Sequence, residues 1–153
     1  MEKLKQGGFL ITKIRQLMLK VFDKLLDDYK ISEITAAQGR VMFPIWKEDN
    51  ISFQDLKKKA MLSKATLSYM LDKLEEAGHI ERIRSDKDKR TIHIKLTRRN
   101  KYLQEKYVDV SLKMASIFYN NFTDKEIDEF ETYLKKILEN LIHYYKDHKE
   151  NEE

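Results

Sequence analysis

The 153-residue chain has no cysteine, one proline and only four glycines. Without cysteine there is no disulfide, no thiolate metal site and no thiol-based redox chemistry. With glycine so scarce, neither the dinucleotide-binding nor the P-loop signature occurs, and HExxH and GxSxG are missing as well. His143 and His148 lie five apart, so on a helix they do not share a face, and they read as solvated imidazoles rather than a metal pair. No nucleophile, base or acid constellation can be assembled, so neither enzymatic activity nor a cofactor or metal is expected. Long hydrophobic runs are absent too: the longest, residues 41–46, falls far short of the roughly 20 residues a membrane span needs. No apolar segment with a small-residue cleavage site opens the chain, so the expected location is the cytoplasm, without a membrane partner.

What is present is charge, unevenly placed. Thirty basic and 26 acidic residues leave a net of only +4, but residues 51–100 hold 13 basic and 7 acidic side chains. Residues 123–153 hold 5 basic and 10 acidic ones. A basic middle and an acidic tail point to a polyanion partner at one end of the molecule. The 41% hydrophobic content is enough for a core, and the length suits one compact domain.

The hydrophobic spacing is mostly helical. Leu10, Ile14, Leu17, Met18, Val21, Phe22, Leu25 and Leu26 predict a long helix over about 8–29, with a stripe wide enough to contact a second chain as well as a core. Thr35 with Gln38 forms a capping box for a second helix through Val41, Met42 and Ile45, which Pro44 is expected to kink or end. Ser52 caps a short helix from Phe53 to about Lys59. Ser63 caps the next, whose buried stripe is Leu67, Met70, Leu71 and Leu74 and whose stop is Gly78. Two short strands follow, one around Ile80 and Ile83, the other alternating Ile92, Ile94 and Leu96 with polar residues, separated by a charged tip over 85–90. Leu103, Tyr107, Val110, Met114 and Ile117 predict one more helix. Ile127, Phe130, Leu134, Ile137 and Leu141 predict the last, after a Thr123–Glu126 capping box. These stripes read as core or dimer seam. The fold class is mainly α, with one small β-hairpin.

Residues 35–97 therefore run helix, helix, helix, strand, tip, strand, which is a helix-turn-helix followed by a wing. A helix fits the major groove of a DNA duplex and reaches base edges with its N-terminal residues. With one face of the 63–77 helix committed to the core, Lys64, Ala65, Ser68, Tyr69, Asp72 and Lys73 are left outward, and Thr66 lies near the boundary. Ala65 and Ser68 are small enough to allow close approach, Lys64 and Tyr69 can touch bases or phosphates, and Thr66 can bond a phosphate. On the wing, Lys87, Lys89 and Arg90 suit the negative potential of a minor groove. Asp86 and Asp88 would repel phosphates, but a carboxylate can orient a neighbouring guanidinium.

These pieces resemble the MarR family of transcription regulators. The matching residues are Ile34-Thr35, Gln38 and Val41-Met42, then Leu62-Ser63-Lys64-Ala65-Thr66-Leu67-Ser68, then Leu74-Glu75-Glu76-Ala77-Gly78-His79-Ile80-Glu81-Arg82. Asp88-Lys89-Arg90 followed by Leu96-Thr97 is the family's wing motif. The resemblance implies a single domain over 1–153. It comprises a winged helix-turn-helix lobe at 35–97 and long dimerisation helices at 8–30 and 101–148. It implies a homodimer on a pseudo-palindromic operator in double-stranded DNA, with residues 63–73 as recognition helix, Arg90 in the minor groove and Asp88 orienting it. It also implies a repressor released by a small aromatic effector. Arg15, Tyr29 and Arg40 could offer polar contacts to such a molecule, although surface or interhelical roles suit them better, and no ligand site is assigned. Two departures stand out. Asn100 occupies a position where the family often has glycine, which bears on the local turn. Lys87 and Lys89 stand where arginine is common, which leaves base-specific minor-groove reading mainly to Arg90.

The expected DNA-binding residues are thus Ser63, Lys64, Ala65, Thr66, Ser68, Tyr69, Lys73, Lys87, Asp88, Lys89 and Arg90. Two other readings stay open on sequence: an architectural DNA-binding protein without ligand control, and an adaptor that uses the winged helix to bind an acidic protein.

Overall fold

The computed structural model describes residues 4–149. Residues 1–3 and 150–153, which include the final carboxylates Glu150, Glu152 and Glu153 and both ends of the expected 1–153 span, lie outside the described residues. The elements run α1 (Gly7–Asp28), α2 (Ala36–Lys47), β1 (Ile51–Ser52), α3 (Phe53–Ala60), α4 (Lys64–Glu76), β2 (Ile80–Arg84), β3 (Ile92–Leu96), α5 (Asn100–Phe118) and α6 (Asp124–Lys149). Two compact units divide the chain, 1–114 and 115–153. Among the described residues, no helix is long and apolar enough to cross a membrane, and no cluster of three His, Cys, Asp or Glu could hold a metal.

Local chemistry sets the helix boundaries of the first unit. α1 ends where Lys30 turns left-handed (φ 56°) and the Ile31 amide reaches back to the Leu26 carbonyl. Only the last part of its stripe is covered: Leu25 and Leu26 are buried, whereas Phe9, Leu10, Ile14 and Leu17 stay exposed. α2 opens on the expected capping box, with Gln38 N–H donating to Thr35 Oγ1 at 3.2 Å and Thr35 N–H to Gln38 Oε1 at 2.9 Å. Of the two outcomes expected at Pro44, a kink or an end, the helix does not take the second: it continues to Lys47. The residues after the proline hold the last turn in place: Ile45 is fully buried, and the Trp46 indole donates to Asn100 Oδ1 at 2.5 Å.

The sheet has three strands rather than two, antiparallel in the order β1-β3-β2. β1 is only two residues long, too short to show a period, and pairs Ile51 with Ile94. In β2, Ile80 is buried opposite Leu96, while Ile83 remains exposed. Residues three apart on a strand face opposite ways, so the two isoleucines never shared a face. Leu25, Leu26, Val41, Met42, Ile45, Leu56, Leu67, Leu71, Leu74, Ile80, Ile94, Leu103, Tyr107, Val110 and Met114 belong to one continuous core.

Two close fits lock α5 into this unit. The Tyr107 ring packs 4.5 Å from Trp46 and 5.2 Å from Phe22. Its hydroxyl lies over Gly39, where an added Cβ would sit only 1.7 Å from the oxygen. Burial, with Asp23 adding to it, pushes the hydroxyl pKa up to about 12, so it stays protonated. Asn100, in the family's glycine position, is not a left-handed turn residue: it begins α5 and is fully buried. Its amide oxygen accepts from Trp46, and its amide nitrogen donates to His79 Nδ1 at 3.2 Å. An apolar core charges heavily for lone polar groups, and here each answers another.

The second unit is simpler. α6 starts on the expected capping box, with Thr123 N–H on Glu126 Oε2 at 2.8 Å and Glu126 N–H on Thr123 Oγ1 at 3.3 Å. The Thr123 amide and hydroxyl, both donating to the Glu126 carboxylate, hold it below its usual pKa. Phe118, Tyr119, Phe122 and Phe130 form an aromatic cluster in which Tyr119 meets the other three edge to face, and the Tyr119 hydroxyl donates to Glu131 at 2.9 Å.

Candidate nucleic-acid interface

α4 is anchored by its apolar face and fastened at both ends. Leu67, Leu71 and Leu74 are fully buried and Met70 is half-buried. At the N-terminus Ser63 Oγ accepts from Thr66 N–H at 3.2 Å and donates to Thr66 Oγ1 at 2.9 Å. The two hydroxyls thus serve the cap while remaining exposed. At the C-terminus Gly78 takes φ 79°, a value that suits glycine. Thr97 Oγ1 then donates to the Gly78 carbonyl at 2.6 Å, and Arg99 donates to that of Ala77.

This anchoring leaves Lys64, Ala65, Thr66, Tyr69 and Lys73 exposed, with Ser68 half-buried. Lys73 reaches over the Tyr69 ring at 5.7 Å from its centroid and lies 3.8 Å from Glu76. No Asn, Gln or Arg stands on the outward face, so the two-pronged recognition of adenine or guanine by those side chains is missing from this helix.

The wing tip is ordered by its own short side chains. Ser85 Oγ accepts from the amides of Lys87 (3.3 Å) and Asp88 (3.5 Å), and the Ser85 amide donates to the Thr91 carbonyl. Asp88 Oδ1 accepts the Arg90 backbone N–H at 3.0 Å, while Oδ2 accepts from Thr91 Oγ1 at 3.4 Å. The Asp88 carboxylate therefore holds the backbone of Arg90 rather than its guanidinium. Lys87, Lys89 and Arg90 project from this turn as exposed side chains. Arg84 Nη1 adds a longer contact to the Lys89 carbonyl at 3.5 Å.

One residue that sequence reasoning passed over joins helix to wing. Arg82 of β2 donates from Nε to Glu75 Oε2 and from Nη2 to Asp72 Oδ1, both at 2.6 Å. Its partial burial would lower its pKa, but the two carboxylates outweigh that and raise it. The signal was the i, i+3 spacing of Asp72 and Glu75, which puts both on one side of α4. Arg40, for which a surface or interhelical role suited better than an effector contact, donates to the Met61 carbonyl between α3 and α4.

Residues 34–92 match the MarR family model, and the HTH-type transcriptional regulator SarZ of Staphylococcus aureus (strain MRSA252) is 25% identical over 134 residues, 88% of this chain and 87% of SarZ. Over residues 34–92 the chain carries a MarR-family match, and the SarZ likeness extends along most of its length. What the chain is similar to over both spans is a transcriptional regulator rather than an enzyme. Among solved structures, a mutant MarR from E. coli complexed with operator DNA is 28% identical, with a TM-score of 0.71 over 90% of this chain and 99% of that one. BpsR from Bordetella bronchiseptica, whose DNA binding is regulated by 6-hydroxynicotinic acid, has a TM-score of 0.77 at 21% identity, over 87% of this chain and 98% of its own. That second likeness is one of fold.

Proposed function

We propose that this protein is a transcription regulator of the MarR type, a cytoplasmic homodimeric repressor of pseudo-palindromic operators, released from DNA by a small aromatic molecule. The observation that carries the DNA-reading part is an anchored α4 with an exposed N-terminal half, followed by a pre-ordered wing tip with exposed cations. Lys64, Ala65, Ser68 and Tyr69 enter the major groove, while Ser63, Thr66 and Lys73 meet its phosphates. Lys87, Lys89 and Arg90 enter the flanking minor groove, with Asp88 setting the direction in which Arg90 leaves the chain. The whole of residues 1–153 acts as one MarR-like domain, with its DNA-binding lobe at 35–97 and its dimerisation helices at 8–30 and 101–148.

Exposed apolar side chains support the dimer. Phe9, Leu10, Ile11, Ile14 and Leu17 on α1, and Leu138, Leu141 and Tyr145 on α6, make broad apolar faces that soluble monomers rarely leave open. Two copies would set two recognition helices roughly 34–36 Å apart, one duplex turn. An effector that prefers a different spacing lowers operator affinity by its differential binding to the two arrangements. The regulation of BpsR by 6-hydroxynicotinic acid supports an aromatic ligand of this kind.

Selection from random duplex DNA at near-physiological salt, followed by sequencing, tests this reading. An inverted repeat with half-sites about one turn apart is expected. The log of the binding constant should fall steeply with log salt, and Arg90→Ala should cost more than about 1 kcal/mol. Tight binding without enrichment would favour an architectural protein, and no DNA binding would favour an adaptor.

A further inference from the structure

We propose that Arg82 is a positioning residue for DNA recognition, a brace that sets the wing in register with the recognition helix. The inference rests on the DNA-reading function proposed above. The two groups that enter DNA belong to different elements, α4 and the β2–β3 hairpin, and must arrive in adjacent grooves together. Arg82 spans them directly. Its planar guanidinium uses two nitrogens at once, Nε on Glu75 and Nη2 on Asp72, so it fixes direction as well as distance.

The strand continues the link. Residues 82 and 84 lie on the same side of β2, two apart. Arg82 holds the helix, and Arg84 reaches the Lys89 carbonyl, next to Arg90. A connected path thus runs from α4 through Arg82, β2 and Arg84 to the residue before Arg90. The brace stands clear of the apolar core: the side chains of Arg82, Asp72 and Glu75 are 30%, 52% and 38% exposed. Its role is therefore separable from folding.

Simple electrostatics makes the opposite forecast, which gives the test its edge. Asp72 and Glu75 are carboxylates on a helix that faces a polyanion, so the double variant Asp72→Asn/Glu75→Gln should bind DNA more tightly if charge alone matters. The brace demands weaker operator binding. The probe is a labelled duplex carrying the inverted repeat recovered by selection, with random duplex of equal length as reference. Fluorescence anisotropy should show operator preference falling by about tenfold, the scale of one lost base contact, in both Asp72→Asn/Glu75→Gln and Arg82→Gln. Arg90→Ala should then cost the Arg82→Gln protein only a fraction of what it costs the parent, although residues 82 and 90 do not touch. That non-additivity is the signature of lost register, which a merely structural role would not produce. Arg82→Lys, unable to fork, should restore little of the preference.

Equal or tighter operator binding by Asp72→Asn/Glu75→Gln would overturn the brace, as would an undiminished Arg90→Ala penalty beside Arg82→Gln. In either case the parent would still select its operator, so the broader reading would stand. If the parent enriches no sequence at all, both readings fall together.

Discussion

Residues 4–114 and 115–149 use apolar side chains in opposite ways. The first unit contains every fully buried side chain among the described residues, gathered on Leu67, Leu71, Leu74, Ile94 and their neighbours. In the second, no residue of 115–148 is buried, yet Tyr133, Ile137, Leu138, Leu141, Tyr144 and Tyr145 all face outward. The helical hydrophobic rhythm is equally regular in α4 and α6. Periodicity therefore reports that a face will be covered, but not by what. In α4 the cover is the same chain; in α6 the proposed cover is a second copy.

Substitutions can break that contrast. The largest effect is expected at Leu71. Leu71→Ala should cost about 2–5 kcal/mol of stability in urea unfolding, since the cavity cannot be filled by solvent. Next is Gly39→Ala. Alanine is normally the better helix former, but its methyl group would displace Tyr107, so a loss of about 1–3 kcal/mol in the same measurement is expected. At Leu141 the two halves of the comparison separate most cleanly. If the residue were a plain surface leucine, Leu141→Ala would change stability by less than about 0.5 kcal/mol. As part of a dimer seam it should instead raise the dimer dissociation constant about tenfold in sedimentation, near 1.4 kcal/mol.

The smallest effect is a matter of pH. Desolvation, with the nearby Arg99 charge, outweighs the Glu33 carbonyl and carboxylate, and lowers the His79 pKa below its usual 6.5. The unfolded chain therefore binds this proton more readily than the folded one. The stability due to neutral His79 is fully present above pH 6.5 and is lost as pH falls from there through the lowered folded value. Thermal melts of the parent should show this decline, and His79→Gln should flatten it. Equal slopes in the two proteins would sink the assignment.

What could be read from sequence shares one property, that cause and effect lie within a few residues. Ser63 with Thr66, Thr35 with Gln38, Thr123 with Glu126 and the left-handed Gly78 are all local contacts, and all four are found where their spacing placed them. The outward set on α4 followed from the same logic, because naming the buried stripe names its complement. Where partners are distant, spacing is silent. Asn100 looked like a turn residue because its partners, Trp46 and His79, are 54 and 21 positions away. Pro44 looked like a breaker because the grip on the next two residues comes from elsewhere in the fold. β1 was invisible for the same reason, since only β3 makes it a strand. Arg82 sits ten and seven positions from Asp72 and Glu75, close enough to suspect but with a turn and a strand boundary between them.

The Trp46 junction has a practical consequence. Trp46 is the only tryptophan in the chain, so light at the red edge of the aromatic absorption excites one residue and leaves the eight tyrosines dark, and that residue sits where α2 meets the start of α5. Its indole N–H is held by a buried amide and its ring lies against Tyr107, a combination that makes its emission colour and lifetime sensitive to any loosening there. Without a dye or an added residue, the light it emits can follow in real time whether that junction opens or stays shut while the protein moves on and off DNA.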